Sequence, residues 1–150
     1  MKTKVLMVCL GNICRSPLAE GILRSMVDPQ RVFVDSAGTA GYHVGKPPDE
    51  RSIAVARKYG LEIGNQRCRK VSVSDFREFD LIYAMDSENR DNLLRMAPGP
   101  EEAKKVKLLL EEADLGFLEV PDPYHGTSKD FGKVYEMIDR ACGAIAKKLI

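Results

Sequence analysis

The sequence predicts an α/β fold: a single-domain, open, mostly parallel four-stranded sheet with helices on both faces. Three observations carry that prediction. Short apolar runs of strand type alternate along the chain with segments of helical periodicity, and such alternation implies a parallel sheet covered on both sides. The first run, Val5-Leu6-Met7-Val8-Cys9, stops at a Gly/Asn-containing loop that leads into Ser16-Pro17 and a helical segment. The length, 150 residues at 44% hydrophobic content, suits one domain over residues 1–150 with a core of its own.

The elements follow in order. Residues 5–9 form the first strand. Leu18, Ile22, Leu23 and Met26 fall on one helical stripe, and Asp28-Pro29 ends that helix. Residues 31–35 read as the second strand, and residues 36–46, rich in glycine and small side chains, as a loop. Pro47-Pro48 opens a second helix that runs to about Tyr59 and stops at Gly60. Ser72-Val73-Ser74-Asp75 has capping-box form and begins a short helix. Residues 79–85 are a buried-strand pattern, and residues 86–96 a polar helix that stops before Pro98. Residues 106–110 are the fourth-strand candidate, although their composition fits a helix as well; residues 111–121 are irregular. Phe131, Val134, Ile138, Ala141, Ile145 and Leu149 keep helical spacing through a closing helix over residues 130–149.

The chemistry concentrates in Cys9-Leu10-Gly11-Asn12-Ile13-Cys14-Arg15-Ser16-Pro17. A loop between a strand end and a helix start can turn its backbone N–H groups inward, and the helix N-terminus adds positive potential. That makes a phosphate-binding loop after the first strand, built from Leu10, Gly11, Asn12, Ile13, Cys14 and Ser16. Arg15 can close it with a fork on two oxygens. The same field favours thiolate over thiol at Cys9. Anion site and nucleophile coincide, as attack on a phosphate monoester requires. Taken singly, a cysteine at a strand end is an ordinary small hydrophobe, and an arginine at a helix start is ordinarily solvated. Asn12 tolerates the positive φ such a loop needs. Ser16 can donate to the Cys9 thiolate.

Composition bounds the rest. A net charge of +1 gives no global field for nucleic acid or membrane partners. Lys2 and Lys4 precede an apolar run too short for a signal peptide, and no apolar stretch reaches membrane-spanning length. A cytoplasmic protein is expected. Four cysteines, at 9, 14, 68 and 142, form no Cys-x-x-Cys pair, so no metal is expected; Cys68 and Cys142 read as packing residues. Neither a Gly-x-x-x-x-Gly-Lys-Ser/Thr loop nor a Gly-x-Gly-x-x-Gly turn is present, which argues against nucleotide binding.

The string from Cys9 to Pro17 resembles the signature loop of the low-molecular-weight protein tyrosine phosphatases, and the resemblance extends to residues 35–48, 79–86 and 121–126. It implies phosphotyrosine proteins as substrates, inorganic phosphate as product, no cofactor, and Cys9 and Arg15 as nucleophile and phosphate clamp. It also implies that Asp122, in Asp122-Pro123-Tyr124, is the general acid; by itself Asp-Pro is a common turn dipeptide. Asp122 would protonate the departing phenolate and then take a proton from the attacking water. Ser36 matches a family serine that supports the loop, and Gln66 aligns with a family histidine of the same network. Tyr42 and Tyr124 are expected as aromatic walls, with His43 and His125 facing solvent. Cys14 is either a buried loop thiol or a redox partner for Cys9, five residues away. Three rivals stand beside this reading. A thiol-dependent arsenate reductase needs further downstream cysteines, and none lies between Cys68 and Cys142. An arginine phosphatase carries threonine where Ile13 stands. A phosphotyrosine-binding pseudophosphatase is expected to lose Cys9, Arg15 or Asp122, and all are present.

Overall fold

The computed structural model describes residues 2–149. Four strands, β1 (Thr3–Cys9), β2 (Val32–Gly38), β3 (Leu81–Ala84) and β4 (Val106–Leu108), lie in the order β2-β1-β3-β4. Every pairing is parallel, so the sheet is wholly rather than mostly parallel. The helices are α1 (Arg15–Met26), α2 (Glu50–Lys58), α3 (Asp75–Glu78), α4 (Ser87–Met96), α5 (Pro100–Ala103) and α6 (Ser128–Lys148).

The strand period of two divides β1 between the layers. Val5, Met7 and Cys9 join one buried cluster with α1, α2 and α6; Leu6 and Val8 join another with Phe76 of α3 and Leu93 of α4. On α1, Leu18, Ile22 and Leu23 are at most 1% exposed. Each such side chain contributes about 1.5–3 kcal/mol by leaving water, and α1 is held to the sheet chiefly by that burial. The chain leaves β1 toward β2 through α1 and returns to the other side of β1 for β3. The carboxyl end of β1 is therefore the topological switch point, where open α/β sheets take their ligands.

Several boundaries differ from the sequence expectation, each for a local reason. β2 continues through Ser36-Ala37-Gly38, residues expected in a loop, because its ladder with β1 runs on to the pair Cys9 and Gly38. Small side chains allow it: a Cβ on Gly38 would stand 2.7 Å from the Leu10 carbonyl oxygen. Pro47-Pro48 lies ahead of α2 rather than in it. Asp49 is the cap, its carboxylate accepting from the Arg51 N–H at 2.8 Å. The segment that fitted strand or helix is both: β4 is followed directly by a 3₁₀ turn at Leu109–Glu112. α6 starts at Ser128, two residues early, because the Asp130 carboxylate accepts from the Thr127 N–H at 2.8 Å. Asp75 accepts from the Ser72 N–H at 2.8 Å, but α3 opens on Asp75 itself with Ser74 as its cap, so the expected capping box is only half made.

Candidate active site

The loop after β1 is shaped from outside. The carbonyls of Cys9 and Leu10 accept from the N–H groups of Thr39 and Ala40, and that of Ile13 from Asp49 N–H at 2.8 Å. The Asn12 carbonyl accepts from the Cys68 thiol and the Cys14 carbonyl from the Ser52 hydroxyl. With its carbonyls turned out into the protein, the loop turns its N–H groups toward the cleft. Among the described residues, the N–H groups of residues 10–14 have no protein acceptor. Asn12 takes φ +57°, as expected of the residue that reverses the chain.

A buried polar chain runs from the thiol into the protein. The Asn12 amide donates to Ser16 Oγ at 2.8 Å and to Ser36 Oγ at 3.0 Å. Ser16 Oγ stands 3.0 Å from Cys9 Sγ. Because Ser16 already accepts from Asn12, its hydrogen is directed to that sulfur or to the more distant Ala37 carbonyl at 3.5 Å. Ser36 donates to Glu20 Oε1 at 2.6 Å, and Glu20 pairs with Arg24 at 3.1 Å. Burial holds the Glu20 carboxyl above the usual range, against the pull of Ser36 and Arg24. Gln66 does not join this chain as aligned. Its amide donates to the Pro17 carbonyl at 3.0 Å, and Glu20 is the residue that carries the network inward. No local pattern in the sequence marks Glu20, which lies off the apolar stripe of Leu18, Ile22, Leu23 and Met26.

Arg15 is 2% exposed, and one edge of its guanidinium is fixed. Nη1 donates to Asp86 at 2.6 Å and to the Val120 carbonyl at 2.9 Å. Among the described residues, Nε and Nη2 make no hydrogen bond, and Nη2 lies 3.8 Å from the Asp122 carboxylate. The free edge suits two phosphate oxygens. Asp86 is the functional residue sequence reading missed; it also caps α4, through the Asn89 N–H at 2.8 Å.

Cys9, Leu10, Gly11, Ile13, Cys14 and Arg15 floor a cleft whose rim carries Tyr42, His43, Asp122, Tyr124 and His125. Tyr42 and Tyr124 stand at the rim, as expected. His43 does not face solvent freely: it is half-buried between them, with ring centroids 6.4 and 6.5 Å away. His125 is exposed and lies edge-on to Tyr124 at 5.0 Å. Cys14 is 3% exposed, its thiol pushed up by burial, with Asp49 and Cys9 adding to the effect. Cys68 and Cys142 are buried, as packing residues are, and Cys68 also bonds the loop. Among the described residues, no cluster of His, Cys, Asp or Glu is arranged to hold a metal ion.

The chain has counterparts among known proteins in both sequence and fold. The sequence over residues 4–150 matches the family model described as low molecular weight phosphotyrosine protein phosphatase. A putative low molecular weight protein-tyrosine-phosphatase from Synechocystis is 42% identical, the alignment covering 97% of this chain and 96% of that one. The human low molecular weight phosphotyrosine protein phosphatase is 39% identical, covering 96% and 94%. A crystal structure of a protein tyrosine phosphatase from Entamoeba histolytica, with Hepes in its active site, superposes with a TM-score of 0.93 at 37% identity, covering 99% and 97%. The tyrosine phosphatase Wzb from Escherichia coli K30, in complex with sulphate, gives 0.90 at 34% identity, covering both chains fully at 100%. The chain belongs to the low molecular weight phosphotyrosine protein phosphatase family.

Proposed function

We propose that this protein hydrolyses phosphotyrosine in proteins through a cysteinyl-phosphate intermediate, releasing inorganic phosphate. The observation that carries the reading is Arg15: one edge is fixed by Asp86 and Val120, and the other is presented over a loop whose base is the Cys9 thiol. Leu10, Gly11, Asn12, Ile13 and Cys14 supply N–H donors to the phosphate oxygens, and Arg15 clamps two of them. The Cys9 thiolate attacks phosphorus as the bond to the aryl oxygen breaks. The Asp122 carboxyl gives its proton to the departing phenolate, whose conjugate acid has a pKa of about 10. Water then attacks the phosphocysteine, its proton passes to the Asp122 carboxylate, and the sulfur leaves as thiolate while Ser16 donates to it. Ser36 supports the loop through Asn12. Four free cysteines support a reducing, cytoplasmic setting, and no described helix is long and apolar enough to cross a membrane.

The test is turnover of aryl phosphates in the presence of EDTA. Cys9→Ser should abolish it while leaving the circular dichroism spectrum unchanged. Asp122→Asn should slow it by about 10²–10⁴, most for the poorest leaving groups. Turnover that survives in Cys9→Ser, or a loss in Asp122→Asn that is equal across leaving groups, would remove the corresponding residue from its role.

A further inference from the structure

The loop that carries Asp122 is anchored at both ends and packs on the protein at the buried Pro123, but it makes few hydrogen bonds between those ends. At its start the buried Val120 donates its N–H to the Met85 carbonyl at 2.8 Å and accepts from Arg15. At its far end Thr127 caps α6. Within it, the Tyr124 N–H bonds the Asp122 carboxylate at 3.1 Å, and the Gly126 N–H bonds the Pro123 carbonyl at 2.8 Å. Both bonds are internal and do not fix the loop to anything else. Among the described residues, one hydrogen bond joins residues 121–126 to the rest of the chain. It runs from Arg51 Nη1 to the Gly126 carbonyl, at 3.3 Å.

Arg51 is held to make that bond. Its Nε and Nη2 donate to the two oxygens of Asp49, each at 3.0 Å, a bidentate fork that fixes the plane of the guanidinium. Nη1 is the remaining corner. One side of the group lies 4.5 Å from the ring centroid of the buried Phe131, and the Tyr124 ring is 5.6 Å away. Asp49 is itself tied to the phosphate loop, its N–H donating to the Ile13 carbonyl at 2.8 Å. A continuous path therefore leads from Ile13 through Asp49 and Arg51 to Tyr124 and Gly126, two and four residues beyond Asp122.

We propose that Arg51 is a positioning residue for the general acid: through Asp49 it references the Asp122 loop to the phosphate loop. The proposal rests on the reading of Asp122 as that acid. Proton transfer to the leaving oxygen needs hydrogen-bond distance, and a displacement of about 1 Å can lower a rate about a hundredfold. A lysine cannot substitute, because it has no planar fork with which to hold Asp49 and Gly126 together.

The experiment measures kcat/KM over a series of aryl phosphates of rising leaving-group pKa, for the parent, Arg51→Met, Arg51→Lys, Asp122→Asn and the double variant Arg51→Met/Asp122→Asn. Methionine retains much of the stem that packs on Phe131. Arg51→Met and Arg51→Lys should both steepen the dependence on leaving-group pKa. The loss should be about tenfold to a hundredfold for the poorest leaving group and several times smaller for the best. In the double variant the leaving-group slope should equal that of Asp122→Asn alone. A uniform loss across the series, or no loss, in both Arg51 variants would overturn the proposal, even if Asp122→Asn steepens the slope. A flat response in Asp122→Asn would instead overturn the acid role on which the proposal depends. Should Arg51→Met fail to fold by circular dichroism, Arg51→Lys decides between the same outcomes.

Discussion

Arg15 and Asp86 meet at 2.6 Å, joining the end of the phosphate loop to the cap of α4. The pair is unequal, since the Arg15 side chain is 3% exposed and that of Asp86 23%. Removing the acid leaves a buried cation whose fixed edge keeps only the Val120 carbonyl. Breaking a fully buried pair costs about 3–5 kcal/mol, and the partial exposure of Asp86 reduces the expected cost for Asp86→Ala to about 1–3 kcal/mol. Urea unfolding should report that loss. Inhibition by inorganic phosphate should weaken in parallel, because the clamp is no longer held at the right angle. Parent-like phosphate inhibition in Asp86→Ala would mean that Arg15 finds its place without Asp86.

The rim predicts selectivity for aryl phosphates. Tyr42, His43 and Tyr124 form a row of rings above the floor, and Ile13 adds an apolar surface below. A phosphoserine side chain has no ring to lie against that row, whereas a phosphotyrosine does. Phosphotyrosine peptides should be hydrolysed far faster than phosphoserine peptides of the same sequence. Tyr124→Ala should raise KM for phosphotyrosine peptides roughly twofold to tenfold, the range of a lost aromatic contact. A preference for phosphoarginine peptides would instead favour an arginine phosphatase.

Cys14 bears on oxidation. A cysteine that acts as a nucleophile is open to oxidation by peroxide to sulfenic acid with release of water, and a neighbouring thiol can then form a disulfide by displacing a second water. Cys14 shares the loop and the cleft with Cys9. Its raised pKa keeps it a thiol at neutral pH, so the second step should quicken as pH rises. Peroxide should inactivate the enzyme, bound phosphate should protect it, and dithiothreitol should restore it. Cys14→Ser should keep most of the activity and lose the recovery. Full recovery of Cys14→Ser would leave Cys14 as a packing residue.

Glu20 should make stability pH-dependent with an identifiable sign. Its carboxyl is raised in the folded protein by burial, although Ser36 and Arg24 oppose that rise. Between the unfolded and folded values the native state binds the additional proton, so its contribution to stability is lost as pH rises through that window. Glu20→Gln removes the titration and keeps an acceptor for Ser36. Relative to the parent, its denaturant midpoint should therefore rise as pH climbs above the ordinary glutamate pKa of about 4.3. A midpoint difference that falls over the same interval would show that the ionised Glu20–Arg24 pair outweighs burial.

What the sequence made legible was local. The strand ending on Cys9, the helix opened by Ser16-Pro17 and the positive φ of Asn12 are consequences of residue type within a few positions, and all are present. Cys9, Arg15, Asp122, Tyr42 and Tyr124 do come to one cleft. Asp86 and Arg51 are not legible, because each looks like an ordinary residue at a helix start, one a cap and the other in the first turn. Their partners, Arg15 and Gly126, stand 71 and 75 positions away along the chain. The sequence reading assigns Gln66 to the network where Glu20 does the work, since Glu20 lies off the apolar stripe of α1 and its partner Ser36 stands 16 positions away. The sequence ends β2 at Asp35 because serine, alanine and glycine carry little strand propensity, whereas the ladder with β1 continues past them.

The outward-facing carbonyls of the phosphate loop have a consequence for biosynthesis. The groups that hold them belong to Thr39, Ala40, Asp49, Ser52 and Cys68, and the arginine edge waits for Asp86 and Val120. A nascent chain that has emerged as far as α1 carries the entire signature string and none of its anchors. Long-range contacts of this kind form late in folding. Oxyanion affinity should therefore appear only after most of the chain has been synthesised and folded, because Val120 is the last anchor to emerge, and a chain that ends at α1 would hold the thiol without its cradle.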